Sequence, residues 1–252
     1  GSTRVELVNL TDITETQVHD ALAGAGLACA EDPTLHLVLT DDYLRPELAD
    51  INSGMQSAGQ SWVLCKPVGM VAWVGPLIVP GDTACWACLE QRLVANRQAQ
   101  KYIGDRLGDT AKFAPARARL PSATRAALDL ASVELARSLV MGDERSLRER
   151  VLTLDVATMQ FDEHTLVRRP QCPVCGDAPE ADLNTHPTIE LGEATKAAYA
   201  DNRTATAEQT FANYKHHISA VTGIVSSLQT READEFGATH NYVAGHYFPM
   251  LG

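Results

Sequence analysis

The sequence predicts an α/β domain of the doubly wound kind. Two observations carry that expectation. Apolar runs and amphipathic stretches alternate from residue 4 to residue 79, and two CxxC pairs stand far apart later in the chain. The alternation is that of strands and helices feeding a parallel sheet. The cysteine pairs have the spacing of two half-sites for one metal.

Taken in order, RVELVNL (4–10) alternates as a strand does. DITETQVHDALAGAG (12–26) has apolar positions at helical spacing, Thr14 as N-cap and glycines to end it. LHLVLTDDY (35–43) is a short apolar run closing in polar residues, the pattern of a buried parallel strand. A helix is expected from Pro46 to Ala58, with proline in the tolerated first turn. SWVLCKPVG (61–69) and MVAWVGPLIV (70–79) read as two further strands, and Trp62, Trp73 and Trp86 as core.

The next helix is expected to start at Asp82 or Thr83, carry the first CxxC and run to Tyr102. Residues 104–120 have no clear period and read as a loop. PSATRAALDLASVELARSLVMG (121–142) is the clearest helix, with Ser122 as cap. RVLTLDVATMQFDEHTLVRR (150–169) reads as a hairpin turning around FDEH, which leaves His164 solvated. Residues 176–210 are polar and linker-like, and TAEQTFANYKHHISAVTGIVSSLQT (206–230) opens on a capping-box pair, Thr206 with Gln209. The expected division is therefore 1–178 for a first domain, 179–205 for a linker and 206–252 for the start of a second domain. Gly1-Ser2 has the look of a cloning remnant, and the final HNYVAGHYFPMLG that of a chain continuing into another domain.

With 252 residues, 45% hydrophobic and 21% charged, the composition is that of a globular protein with a sizeable core. A formal net charge of −11 argues against nucleic acid and anionic membranes as partners. No apolar run reaches the roughly 18 residues of a membrane span, and no secretory signal opens the chain, so a cytoplasmic protein is expected.

Six cysteines in a chain of this length do not make a disulfide scaffold. Cys29 and Cys65 sit in apolar surroundings and read as small buried residues. Cys85, Cys88, Cys172 and Cys175 supply the four thiolates of a tetrahedral zinc site. Catalytic zinc keeps one position open, whereas four thiolates close the shell, so the expected Zn2+ is structural. It would clamp the helix from residue 83 to the end of the hairpin.

The order of features over residues 1–178 resembles the ThiF/MoeB-type adenylating fold, relatives of the ubiquitin-activating enzymes: a strand ending LTDDY, a helix containing Asn52, a strand reaching Gly69, a second strand, Pro80-Gly81 and CWACL. The resemblance implies a Rossmann-like domain whose CxxC pairs share zinc. Adenylating members carry a glycine-rich phosphate loop after the first strand; RVELVNLTD has no glycine, and the expected Asp-Asn pair is Asp41-Asp42. Arg45 precedes Pro46 instead of aligning with the family's arginine. The domain therefore reads as a degenerate member, with no catalytic or nucleotide-binding residue assigned.

WVGPLIVPGDTACWACLEQRLVANR and HTLVRRPQCPVCG closely resemble the ThiF-like partner of YcaO cyclodehydratases, and HHISAVTGIVSSLQT resembles the start of a YcaO domain. That resemblance implies a non-catalytic scaffold that presents a precursor peptide. The YcaO domain would use ATP-Mg beyond this segment to form azolines from Cys, Ser or Thr. The implied partners are the precursor peptide and the YcaO domain, with a homodimer possible. Two other functions stay open: an active adenylating enzyme acting on a peptide or carrier-protein carboxylate, and an interaction or dimerisation module.

Overall fold

A computed structural model of the protein describes residues 4–29, 33–97, 102–103, 106, 120–141, 147–176, 205–231 and 241–245. The first half alternates as expected: β1 (Arg4–Asn9), α1 (Glu15–Gly24), β2 (Ala28–Cys29), β3 (Leu35–Leu39), α2 (Glu47–Ala58), β4 (Trp62–Lys66) and β5 (Val71–Ile78). Next come α3 (Trp86–Asn96), α4 (Pro121–Met141), β6 (Arg150–Asp155) and β7 (Gln160–Thr165). The last described elements are α5 (Ala207–Tyr214), a 3-10 turn (Lys215–His217), β8 (Ser227–Arg231) and β9 (Asn241–Gly245).

One seven-stranded sheet runs in the order β2-β1-β3-β4-β5-β6-β7, and β8 and β9 form a separate antiparallel pair. The strands from β2 to β4 are parallel, whereas β5, β6 and β7 continue the sheet antiparallel. Within the parallel half, β3 and β4 are buried on both faces, which is why all five residues of β3 are apolar or shielded. Side chains alternate across it: Leu37, Leu39, Val63 and Cys65 join one core, and Val38, Trp62 and Leu64 the other. α1 and α4 cover the first core, contributing Val18, Leu22, Leu128 and Leu135. The second core, under α2 and α3, includes Leu48, Leu89 and Leu93 and ends in the four cysteines of the two CxxC pairs.

α1 begins where the sequence places it. Thr14 Oγ1 accepts from Gln17 N–H and Gln17 Oε1 accepts from Thr14 N–H, a complete capping box. The same pair of bonds joins Thr206 and Gln209 at α5. The three tryptophans are buried as expected.

Several boundaries differ from the sequence reading. α3 starts at Trp86 instead of Asp82 or Thr83, because Thr83 Oγ1 accepts from Val79 N–H at 2.8 Å and holds residues 79–83 in a turn. The same helix ends at Asn96, short of Tyr102. α4 takes Pro121 as its first residue, so Ser122 lies inside the helix instead of capping it. The hairpin turns at residues 156–159, not around FDEH, because Asp155 Oδ1 accepts from Ala157 and Thr158 N–H and Met159 adopts a φ of 56°. FDEH therefore lies within β7. Cys29, expected to be buried, is exposed on the two-residue edge strand β2. The loop expected at 104–120 and the linker at 179–205 lie mostly outside the described residues.

Where β5 crosses β6, Gly75 has a φ of 91°, and a Cβ there would meet the Arg150 carbonyl at 2.5 Å. Gly75→Ala is expected to lower stability by about 1–3 kcal/mol through backbone strain alone. Chemical denaturation of both proteins checks this.

Candidate metal centre

The centre is assembled from two turns that the sheet brings together. Trp86, the first residue of α3, is tied on both sides: its backbone N–H donates to Asn52 Oδ1 on α2 at 3.0 Å, and its indole Nε1 donates to the Tyr43 carbonyl at 2.8 Å. Asn52 is 1% exposed, so its amide serves the interior instead of solvent. The Tyr43 hydroxyl in turn donates into the sheet at the Gly75 carbonyl, 2.5 Å away, and its ring packs edge-on to Trp73 with centroids 5.0 Å apart. These bonds set the direction of α3, and with it Cys85 at the N-cap and Cys88 in the first turn.

The second turn follows β7. Arg169 C=O accepts from Cys172 N–H and Cys172 C=O accepts from Gly176 N–H, which curls residues 172–176 into a knuckle. Gly176 is required by close approach, since a Cβ would collide with backbone atoms of Pro170 and Cys172. The Arg168 guanidinium fastens the knuckle, donating from Nε to the Cys175 carbonyl at 2.7 Å.

All four thiols are buried, and their sulfurs lie within 4.8 Å of one another. Cys85 and Cys172 Sγ are 3.6 Å apart, and Cys88 and Cys175 Sγ 3.5 Å. A tetrahedron with Zn–S bonds of about 2.3 Å has edges of about 3.8 Å, so the spacing and the donor chemistry both fit zinc. The predicted set is therefore brought together in full. Hydrogen bonding distributes the protons unequally. The Cys88 thiol is drawn down to about 5, first by the Cys85 thiol and then by the Arg169 N–H, while Cys85 is pushed up by the same hydrogen bond and by burial. Both residues stand at a helix N-terminus, where the dipole favours thiolate.

The carboxyl end of the sheet, where α/β folds take ligands, is closed differently. The loop between β1 and α1 consumes its own polar groups. Asn9 Oδ1 accepts from Thr11 N–H and hydroxyl, Thr11 Oγ1 accepts from Ile13 N–H, and Asn9 Nδ2 donates to the Ile13 carbonyl. A phosphate cradle needs backbone N–H groups pointing outward, and here those of Thr11 and Ile13 are taken by the loop's own side chains. Beyond β3, Asp41 pairs with Arg45 at 3.1 Å and Asp42 with Arg97 at 3.4 Å; Arg45 also donates to the Leu10 carbonyl. Lys66 donates to the Val68 and Val71 carbonyls, and burial brings its pKa down to about 8. Lys66 and Arg97 both lie against the Trp73 ring. Sequence reasoning named Asp41, Asp42 and Arg45 but missed Lys66 and Arg97, which have no motif and join the cluster only through folding.

A second group of residues also escaped the sequence reading. The segment 217–225 is fastened to α3 and β7. Asn96 Nδ2 on α3 donates to the Val221 and Gly223 carbonyls, and Thr222 Oγ1 donates to the Thr165 carbonyl at 2.7 Å. His164, expected in solvent, is half-buried between Thr153 Oγ1 and Ser219 Oγ, each 2.9 Å from a ring nitrogen. Val221 packs against the core that contains the cysteines.

Comparison with solved structures places this geometry. Over 98% of its length the chain matches a heterocyclase in complex with substrate and cofactor, at 34% identity and a TM-score of 0.84. It matches the heterocyclase TruD over 89% of its length, at 34% identity and a TM-score of 0.74. The chain shares the heterocyclase fold. Its α/β architecture with a four-cysteine cluster is the one expected of a ThiF-like heterocyclase partner. This heterocyclase-like chain spans about a third of the length of those two proteins, 34% and 33%. MccB from E. coli is more distant, at 20% identity over 71% of this chain and 46% of its own, with a TM-score of 0.46. No protein-family model and no curated protein matches the chain. Among the described residues no helix is long and apolar enough to cross a membrane.

The His164 contact with Ser219 makes the seam at residues 217–225 a place where pH dependence is expected. Burial holds the His164 pKa below its ordinary 6.5, against the opposite pull of Asp162 and Glu163. The neutral ring's contribution is complete above 6.5 and is lost as the pH falls through the lowered folded-state value. Melting temperature is expected to fall with acidification through that window, and His164→Gln to flatten this part of the profile.

Proposed function

We propose that the chain is the zinc-stabilised, non-catalytic ThiF-like part of an ATP-dependent YcaO cyclodehydratase, which forms azolines from Cys, Ser or Thr in ribosomal peptides. The likeness to heterocyclases across nearly the whole chain carries this reading. In it, Cys85, Cys88, Cys172 and Cys175 hold one structural Zn2+. Bound there, zinc would supply a closed cross-link between the start of α3 and the knuckle after β7, with no open position for substrate.

The chain's own residues do the rest by holding position. Asn52, Tyr43 and Trp86 fix α3; Asn96, His164 and Thr222 fix the segment that leads onward. The domain would thereby set how a precursor peptide is presented to a YcaO domain, where ATP-Mg is used. The peptide and that domain are the proposed partners, and a second copy of the chain is a further one.

A second reading is favoured by the charged cluster at the carboxyl end of the sheet. Asp42, Lys66 and Arg97 around Trp73 resemble the remains of a nucleotide site, as an active adenylating enzyme would require. Against it stands the β1–α1 loop, closed on its own side chains. ATP–pyrophosphate exchange with and without precursor peptide decides between them. No exchange above background is expected from folded, zinc-loaded protein; peptide-dependent exchange establishes the adenylating reading instead.

The zinc assignment has its own check. Cys172→Ser is expected to lose stoichiometric zinc and to melt several degrees lower, read by elemental analysis and calorimetry. Full zinc retention with an unchanged melt would refute it.

A further inference from the structure

Two arginines stand beside the thiol cluster with no acidic partner among the described residues. Arg92 follows Cys88 by one turn on the same face of α3, and the Arg169 N–H donates to Cys88 Sγ at 3.5 Å. Both arginines are half-buried. Among the described residues neither guanidinium has a hydrogen-bond acceptor or an ion pair, although the chain has 32 acidic residues against 21 basic ones. Arg168, the neighbour of Arg169, is by contrast engaged on the Cys175 carbonyl.

The two charges feel one another. Burial disfavours the charge on Arg92, the like charge of Arg169 adds to that, and Cys88 acts in the opposite sense. Placing two unpaired cations together in a half-buried site is unfavourable unless a negative charge faces them. Among the described residues, the group that favours the Arg92 charge is Cys88, in the cysteine cluster itself. Four thiolates around one Zn2+ leave two negative charges in excess, and two guanidinium groups balance them.

We propose that Arg92 and Arg169 are charge-compensating positioning residues of the four-cysteine site, neutralising the dianionic zinc–thiolate cluster from the Cys88 side. The inference rests on the zinc reading above and extends it beyond the four ligands. Arg168 acts separately, as a mechanical fastener of the knuckle.

The test uses the full chain. Zinc content is measured first, and zinc affinity is then obtained by competition with a chromogenic chelator for Arg92→Met, Arg169→Met, Arg92→Lys and Arg169→Lys. Each methionine variant keeps an apolar stem and removes the charge; each should bind zinc ~10-fold or more weakly, in the range known for groups that support metal ligands. The lysine variants should stay near wild type. The gap between methionine variant and wild type should narrow at about 1 M salt, where charges are screened over roughly 3 Å. Wild-type affinity in both methionine variants would overturn the proposal, and so would equal losses in methionine and lysine variants, which would mark packing instead of charge. A wild-type chain that takes up no zinc overturns the zinc reading together with this one, whereas zinc-loaded protein indifferent to both arginines overturns charge compensation alone.

Discussion

The second face of the sheet depends on one bond, the donation from Trp86 N–H to Asn52. A helix opens with N–H groups that have no partner inside it, and in an interior such groups must be satisfied from elsewhere. Cys85, at the N-cap, makes no side-chain capping bond. Its sulfur is directed to the thiol cluster, so α2 supplies the acceptor instead. The indole bond to the Tyr43 carbonyl adds a second tie from the loop after β3. Two neighbouring elements thus hold the first turn of α3 and aim Cys85 and Cys88 at the knuckle. The knuckle meets them because β7 delivers it to the same end of the second core.

The molecule treats charge in two contrasting ways. At the carboxyl end of the parallel strands, Asp41, Asp42, Arg45 and Arg97 pair with one another, and Lys66 is bound to backbone carbonyls. These charges neutralise themselves, and the nearby β1–α1 loop is closed by its own Asn9 and Thr11. At the cysteine cluster the balance is left open, with Arg92 and Arg169 unopposed by any acid among the described residues. The first region resembles a ligand site that has closed on itself, and the second a site whose charge is completed by what the thiolates hold.

Local patterns in the sequence marked most of the framework. Thr14 with Gln17 and Thr206 with Gln209 start helices because a capping box needs only residues three apart. The five-residue apolar run of β3 announced burial on both faces. Boundaries failed where a side chain reached back into its own turn, as Thr83 does to Val79 and Asp155 to Ala157. Those bonds compete with helix and hairpin registers that the hydrophobic pattern alone cannot distinguish. His164 was misplaced for the same reason: moving the turn by a few residues carried it from a loop tip into β7 and against Ser219.

The sequence by itself determined the doubly wound half of the sheet and the four thiols, because alternation and CxxC spacing are local and chemically specific. Only the tertiary structure decided that the two cysteine pairs converge, that Asn52 and Tyr43 aim them, and that residues 217–225 are bound to α3 and β7. These contacts join residues distant along the chain through single hydrogen bonds, and a single bond leaves no periodic trace in a sequence. The same holds for Arg92 and Arg169, ordinary surface residues until folding places both beside Cys88.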